Sequence, residues 1–120
     1  MKVGIDIVQV NRFADMVNNP KHLSKIFTEY EVKYINQTTN MIERVAGLYA
    51  VKEAVVKALG IGLGRGIDLI DIEVNHDDFG KPHLVVNDKL RGAFNYASVI
   101  NSDISISHTN ENAIAICILF

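Results

Sequence analysis

The chain has 120 residues, of which 48% are hydrophobic and 22% charged, a composition that excludes a disordered or fibrous protein and predicts one domain over residues 1–120. The formal net charge of −2 gives no electrostatic reason to expect binding to nucleic acid or to a membrane surface. Apolar runs are too short for a signal peptide or a membrane span, so we expect a cytoplasmic protein. The single cysteine, Cys117, cannot form an intrachain disulfide and is expected to be buried.

The N-terminal third predicts one strand followed by short helices. Residues 2–8 alternate in the manner of a strand, with Asp6 on the face opposite the branched aliphatic residues. Residues 11–19 predict a short helix, and Pro20 suits the first turn of another that ends at about Phe27. Thr28 followed by Glu31 has the spacing of a capping box, which predicts a third helix.

A long helix and two hairpins complete the predicted elements. The helix runs from about Met41 to Leu59, with Gly60 as its left-handed C-terminal cap. Strand-like segments flank DDFG and later TNEN, and a short helix lies between the two hairpins. This order predicts an α+β fold, a long helix packed on an antiparallel sheet, which the first strand also joins.

The long helix and the last strand both carry more apolar surface than one small sheet can cover. The helix is apolar nearly all round, and the strand AIAICILF is apolar on both faces. Either a subunit interface or the short N-terminal helices could cover them.

Charged residues within these apolar elements are candidates for chemistry. Glu53 and Lys57 lie four residues apart, on one stripe of the helix, which fits either a structural ion pair or a functional site. Asp6 is costly to bury in a strand unless it is paired or bound to a metal. Asp6 and Glu53 together provide two carboxylates of the kind that Mg²⁺ prefers.

Two further segments are weaker candidates. GIGLGRG matches no phosphate-binding loop, although Arg65 within it could face an anion. His108 and Thr109 stand at a predicted strand end, where they could reach a ligand or form ordinary exposed surface.

Several motifs in order resemble the holo-[acyl-carrier-protein] synthases, the small stand-alone phosphopantetheinyl transferases. These are GIDIVQVNR, LYAVKEAVVKALGIGLGRG, DIEV with DDFGKPHL, and ISISHTNENAIA, and the resemblance covers nearly the whole chain. It implies an α+β trimer with active sites between subunits. It also implies Mg²⁺-dependent transfer of 4'-phosphopantetheine from coenzyme A to a serine of apo acyl carrier protein, in support of fatty acid biosynthesis. Mn²⁺ is a possible substitute metal.

The resemblance also assigns roles to individual residues. Asp6 and Glu53 match the metal-binding acids, and together with Lys57, near the reacting phosphates, they form the expected catalytic set. Arg12 matches an arginine that meets the carrier protein, and the nearby basic residues Lys21, Lys25 and Arg44 could extend that surface. The residues expected to contact coenzyme A are Lys57, Gly62, Gly64, Arg65, His108 and Thr109.

The chain departs from the family pattern at two positions near the expected site. Family members often have Arg at the position of Leu48 and Ser at that of Val56, so two polar groups are missing here. The departures favour one alternative, a non-catalytic module that binds coenzyme A or a nucleotide. A Mg²⁺-dependent nucleotide hydrolase is a further alternative.

Overall fold

A computed structural model describes residues 1–62 and 65–120. The helices are α1 (Pro20–Ile26), α2 (Glu29–Asn36), α3 (Met41–Leu59) and α4 (Asp88–Tyr96). The strands are β1 (Lys2–Gln9), β2 (Glu73–His76), β3 (Pro82–Val85), β4 (Ser102–His108) and β5 (Asn112–Leu119). Within this described part, no helix combines the length and the apolar character needed to cross a membrane.

The helix ends follow the local sequence. Thr28 and Glu31 form the predicted capping box at the start of α2, because each side chain accepts a hydrogen bond from the backbone N–H of the other. Gly60 ends α3 in the left-handed conformation, with φ +74°, and its N–H donates to the carbonyl of Val56. Both predictions are confirmed.

The segment of residues 11–19 differs from its prediction. It forms two short 3-10 turns, Val10–Phe13 and Met16–Asn18, and not one helix. Its Asn and Asp side chains favour local turns over a continuous helix. Phe13 is buried and fixes the first turn against the core.

The strands form two separate sheets. β5 lies between β1 and β4 in an antiparallel sheet of three strands, whereas β2 and β3 pair only with each other. The prediction of a single sheet was therefore wrong for the first hairpin. Alternation along a segment indicates a strand, but it does not indicate which strand will be its neighbour.

Helix α3 covers one face of the three-stranded sheet and approaches β1 closely at Gly4. A Cβ atom at Gly4 would lie 1.8 Å from the carbonyl oxygen of Ala54. The apolar residues all round the helix are covered within the chain, since Val45, Val51 and Val55 have no exposed surface. The covering comes mainly from β1 and β5, and the first N-terminal turn and α2 contribute less than was predicted for the short N-terminal helices.

Cys117 is buried on the sheet face that packs against α3, as expected. It pairs with Gly4 of β1 in the strand register and has no exposed surface. Burial, with a smaller effect from the charge of Asp103, raises the pKa of the Cys117 thiol to about 12. The thiol is therefore protonated at neutral pH and packs as a small apolar side chain.

The opposite face of this sheet carries exposed aliphatic side chains. Alternation along β1 and the register with β5 place three residues of each strand on this face. Ile7, for example, is 63% exposed. We call this surface the outer sheet face, and its six residues are Val3, Ile5, Ile7, Ile114, Ile116 and Ile118.

A buried ion pair joins α2, α3 and the segment that leads into β2. The Lys52 Nζ donates to Glu31 Oε1 at 2.7 Å and to the carbonyls of Leu69 and Ile72 at 3.0 and 2.6 Å. Glu31 Oε2 accepts from the N–H of Val74. Burial lowers the pKa of Lys52, and the negative charge of Glu31 opposes that effect.

Candidate functional site

Asp6 and Lys57 meet where β1 crosses α3. The Lys57 Nζ donates to Asp6 Oδ1 at 3.0 Å and to the carbonyl of Ile5 at 3.1 Å. The Asp6 side chain is 14% exposed and that of Lys57 55% exposed, so the pair lies at the edge of the core. Lys57 forms its ion pair with Asp6 and not with Glu53, which excludes a purely helical Glu53–Lys57 pair.

Glu53 and Tyr49 continue this site along the same stripe of α3. An Arg12 N–H donates to the Tyr49 hydroxyl at 3.2 Å, and the guanidinium lies 4.9 Å from the centre of the Tyr49 ring. Burial raises the pKa of Tyr49, and the negative charge of Glu53 raises it further, while Arg12 opposes the shift. The Arg12–Tyr49 hydrogen bond and the Asp6–Lys57 ion pair lie on the stripe of α3 that carries Tyr49, Glu53 and Lys57. We call the five residues of this stripe and its partners the acid–base cluster: Asp6, Arg12, Tyr49, Glu53 and Lys57.

The oxygen donors of the cluster fit a hard divalent cation. Asp6 and Glu53 bring two carboxylates to the surface beside Lys57. Among the residues that the structure describes, no group of three or more His, Cys, Asp or Glu side chains could hold a metal. Mg²⁺ typically takes one or two carboxylates and completes its shell with water and substrate phosphate. The donor set therefore fits a metal shared with a substrate, and not a closed structural zinc site.

The glycine-rich segment borders a groove between the end of α3 and α4. Gly62 and Arg65 line this groove, whose volume is about 610 Å³, and Lys89 lines it from α4. Gly64, also expected at the coenzyme, lies outside the described residues. Arg65 and Lys89 thus place two cations beside the groove.

His108 and Thr109 lie near the other end of α3. The Nδ1 of His108 is 3.7 Å from the Glu43 carboxylate. The Thr109 hydroxyl accepts from the N–H of Asn112 and so stabilises the turn between β4 and β5. Glu43 and Lys57 are separated by about 21 Å along the helix, at 1.5 Å per residue. One chain therefore does not bring His108 to the ion pair of Asp6 and Lys57.

A stacked group near His108 had no counterpart in the sequence predictions. The Arg44 guanidinium lies 3.9 Å from the centre of the Tyr34 ring, and that ring stacks on His76 at 4.0 Å. The cavity beside them has a volume of about 320 Å³ and is also lined by Leu48 and His108. The contacts join residues far apart in the chain, so no local pattern indicates them.

The basic residues divide between two regions. Arg12 contacts the acid–base cluster, and Lys21 and Lys25 are exposed on α1. Arg44, which was expected to share their surface, instead donates to the carbonyl of Tyr34 at 2.5 Å in the stacked group. The predicted basic surface is therefore smaller than the sequence suggested.

Comparisons with known proteins agree on one family. The model of the 4'-phosphopantetheinyl transferase superfamily matches residues 2–117. A holo-[acyl-carrier-protein] synthase of Clostridium botulinum (strain Alaska E43 / Type E3) is 42% identical over 118 residues, which cover 98% of this chain and 94% of that protein.

Solved structures of similar proteins share the fold. The holo-(acyl-carrier-protein) synthase of Bacillus anthracis in complex with CoA (3',5'-ADP) is 37% identical with a TM-score of 0.80, covering 98% of this chain and 94% of that one. The holo-[acyl-carrier-protein] synthase of Neisseria meningitidis has a TM-score of 0.89 at 23% identity, covering 99% and 97% of the two chains, and supports the fold alone.

Proposed function

The chain belongs to the holo-[acyl-carrier-protein] synthases of the 4'-phosphopantetheinyl transferase superfamily, and from this premise we propose that it transfers 4'-phosphopantetheine from coenzyme A to a serine of an apo acyl carrier protein. One observation carries the proposal. Asp6 from β1 lies beside Lys57 on α3, on the stripe that also holds Glu53. Charges of both signs on one surface suit phosphoryl transfer, which requires mainly positioning and charge neutralisation.

Each residue of the catalytic set then has a chemical role. The carrier serine oxygen forms a bond to the phosphorus attached to the pantetheine arm, and the diphosphate P–O bond breaks, releasing adenosine 3',5'-bisphosphate. Glu53 accepts the serine proton, directly or through a water. Lys57 neutralises charge on the departing phosphate. The nucleophile belongs to the carrier, so this chain needs none of its own.

Asp6 and Glu53 would hold Mg²⁺, or Mn²⁺ in its place. When bound, the ion supplies neutralisation of the diphosphate charge and polarises the phosphorus under attack. Asp6 suits this role because its carboxylate is held at the edge of the core, where Lys57 is its one charged contact among the residues that the structure describes. The ammonium of Lys57, whose side chain is 55% exposed, would face a phosphate of the substrate.

We further propose a homotrimer in which copies meet through the outer sheet face. The exposed aliphatic side chains there favour association with another protein surface. The distance between His108 and Lys57 supports the same arrangement, since both are assigned to one coenzyme. In this trimer, His108 and Thr109 of one copy would contact the coenzyme bound at the cluster of the next copy. Gly62, Gly64 and Arg65 are the other residues that we assign to coenzyme binding.

The carrier protein docks on Arg12 and on the exposed lysines of α1, Lys21 and Lys25. Carrier proteins that are acidic would be attracted to these cations, and the attraction would weaken with added salt. We propose a cytoplasmic location, where coenzyme A and the carrier are both available, and a role in fatty acid biosynthesis.

Mass spectrometry of an apo acyl carrier protein tests the proposal directly. Incubation with this protein, coenzyme A and Mg²⁺ should add one phosphopantetheine to the carrier, and EDTA should abolish the gain. Glu53→Gln and Asp6→Asn should each reduce the transfer rate by at least about 100-fold. No gain with several carriers, together with retained binding of coenzyme A, would instead identify a non-catalytic binding module.

A further inference from the structure

Tyr49 connects the surface assigned to the carrier with the residue assigned as the base. Its hydroxyl accepts from Arg12 at 3.2 Å, and Glu53 lies one helical turn further along α3. Its ring packs against Phe13, with the ring centres 5.0 Å apart and the planes tilted by 53°. Packing and hydrogen bonding together restrict the position of the hydroxyl.

The two neighbours of this hydroxyl, Arg12 and Glu53, differ in whether they can donate or accept a hydrogen bond. A guanidinium has only donors, so Arg12 must occupy a lone pair of the Tyr49 oxygen. The hydroxyl hydrogen is then directed away from Arg12, and a carboxylate is the natural acceptor. A phenolic hydroxyl ordinarily keeps its hydrogen at neutral pH, so that hydrogen is available to the carboxylate.

We propose that Tyr49 is a positioning residue for the transfer reaction, which orients the Glu53 carboxylate through its hydroxyl and couples that orientation to Arg12. Five N–H groups on Arg12 allow one to remain on Tyr49 while others bind a carrier carboxylate. Docking of the carrier thereby fixes Arg12, Arg12 fixes Tyr49, and Tyr49 fixes the base. This inference rests on the proposed transferase function and adds a residue to its site.

Tyr49→Phe tests the role of the hydroxyl, because it keeps the ring and its packing against Phe13. We expect kcat for transfer to fall about tenfold, the effect of one lost hydrogen bond to a charged group, with little change in KM for coenzyme A. Tyr30→Phe is the matched control, since Tyr30 lies on α2 outside the acid–base cluster and should keep the wild-type kcat. Thermal melts of both variants establish that each is folded.

The coupling to Arg12 gives a second readout that a merely structural tyrosine would not affect. Arg12→Gln in the wild-type background should raise KM for the carrier and also lower kcat, because the restraint on Tyr49 is lost. In the Tyr49→Phe background the same change should raise KM but leave kcat unchanged. Additive effects on kcat, or a wild-type kcat for Tyr49→Phe, would overturn the inference. An inactive wild-type protein would instead overturn the proposed function.

Discussion

Gly4 sets the distance between Asp6 and α3. At this position the backbone of β1 approaches the carbonyl of Ala54 so closely that any Cβ would overlap it. We predict that Gly4→Ala destabilises the protein by about 3 kcal/mol or more, because neither backbone can move without disturbing the core. It should also reduce transfer activity at temperatures where the variant is folded, because Asp6 moves away from Lys57. Urea unfolding and the carrier assay measure the two effects.

A second glycine provides the control for this prediction. Gly92 lies within α4, and a Cβ there would meet no atom within 4 Å. Gly92→Ala should therefore stabilise the protein by about 0.5–1 kcal/mol, through helix propensity alone. Equal effects of the two substitutions would contradict the close approach at Gly4.

His76 should make stability depend on pH. Burial, with the positive charges of Arg44 and His83, lowers its pKa from the ordinary value of 6.5. Below about pH 6.5 the unfolded chain therefore binds a proton that the folded chain binds less readily. The free energy of unfolding consequently decreases as the pH is lowered. His76→Phe keeps a ring to stack on Tyr34 and should reduce this fall.

Urea unfolding of both proteins between pH 5 and pH 7 checks the prediction about His76. Other titrating groups are common to both proteins, so the difference between the two curves isolates His76. The same loss of stability in wild type and variant would show that His76 takes up its proton as easily in the folded chain as in the unfolded one.

The ion pair of Lys52 and Glu31 links α3 to the elements on either side of it. Lys52→Met should destabilise the protein by about 3–5 kcal/mol, because it leaves the carboxylate of Glu31 buried without its cation. Lys89→Met is the matched control, since Lys89 is 64% exposed and should change stability by no more than about 0.5 kcal/mol. Chemical denaturation compares them, and similar midpoints for the two variants would contradict the prediction.

Local patterns predicted the elements better than their arrangement. The ends of α3 and the capping box at Thr28 were predictable because each depends on residues a few positions apart. The separate pairing of β2 with β3 was not, because strand partners depend on the whole fold. Lys52 and Glu53 show that local patterns also fail to predict the surroundings of individual charged residues on one helix. They are adjacent in sequence, yet Lys52 faces the core and Glu53 the site.

The candidate site was also only partly predictable. Asp6, Glu53 and Lys57 stood out as charges within apolar elements, and the structure brings Asp6 to Lys57. Tyr49, Glu53 and Lys57 follow one another at four-residue intervals, so their shared stripe could be predicted. The hydrogen bond from Arg12 to the Tyr49 hydroxyl could not, because Arg12 is distant in the chain. His108 could not be placed from the sequence, because no local pattern gives its distance from the cluster.

At the scale of the whole molecule, assembly and activity should be lost together. Ile5→Asp places a charge on the outer sheet face, where the residue is 53% exposed in the single chain, so the isolated fold should tolerate it. We predict dissociation of the proposed trimer and loss of transfer activity, although no residue of the acid–base cluster is changed. Light scattering and the carrier assay test this.

The control for Ile5→Asp lies at the tip of the hairpin between β2 and β3. Phe79 is 97% exposed there, and Phe79→Asp should leave both assembly and activity unchanged. If Ile5→Asp remains trimeric and active, then the copies do not meet through the outer sheet face.

The alternation of β1 also limits how the N-terminal segment can change in evolution. Asp6 faces α3, while its neighbours Ile5 and Ile7 lie on the outer sheet face. Deletion or insertion of one residue early in the strand would move the residues of each face to the opposite face. The carboxylate of Asp6 would then point outward and an isoleucine would point toward Lys57. Substitutions can alter either face alone, but a change in length alters both at once. We therefore expect homologues to vary in residue type on the outer face of this strand and to keep its length.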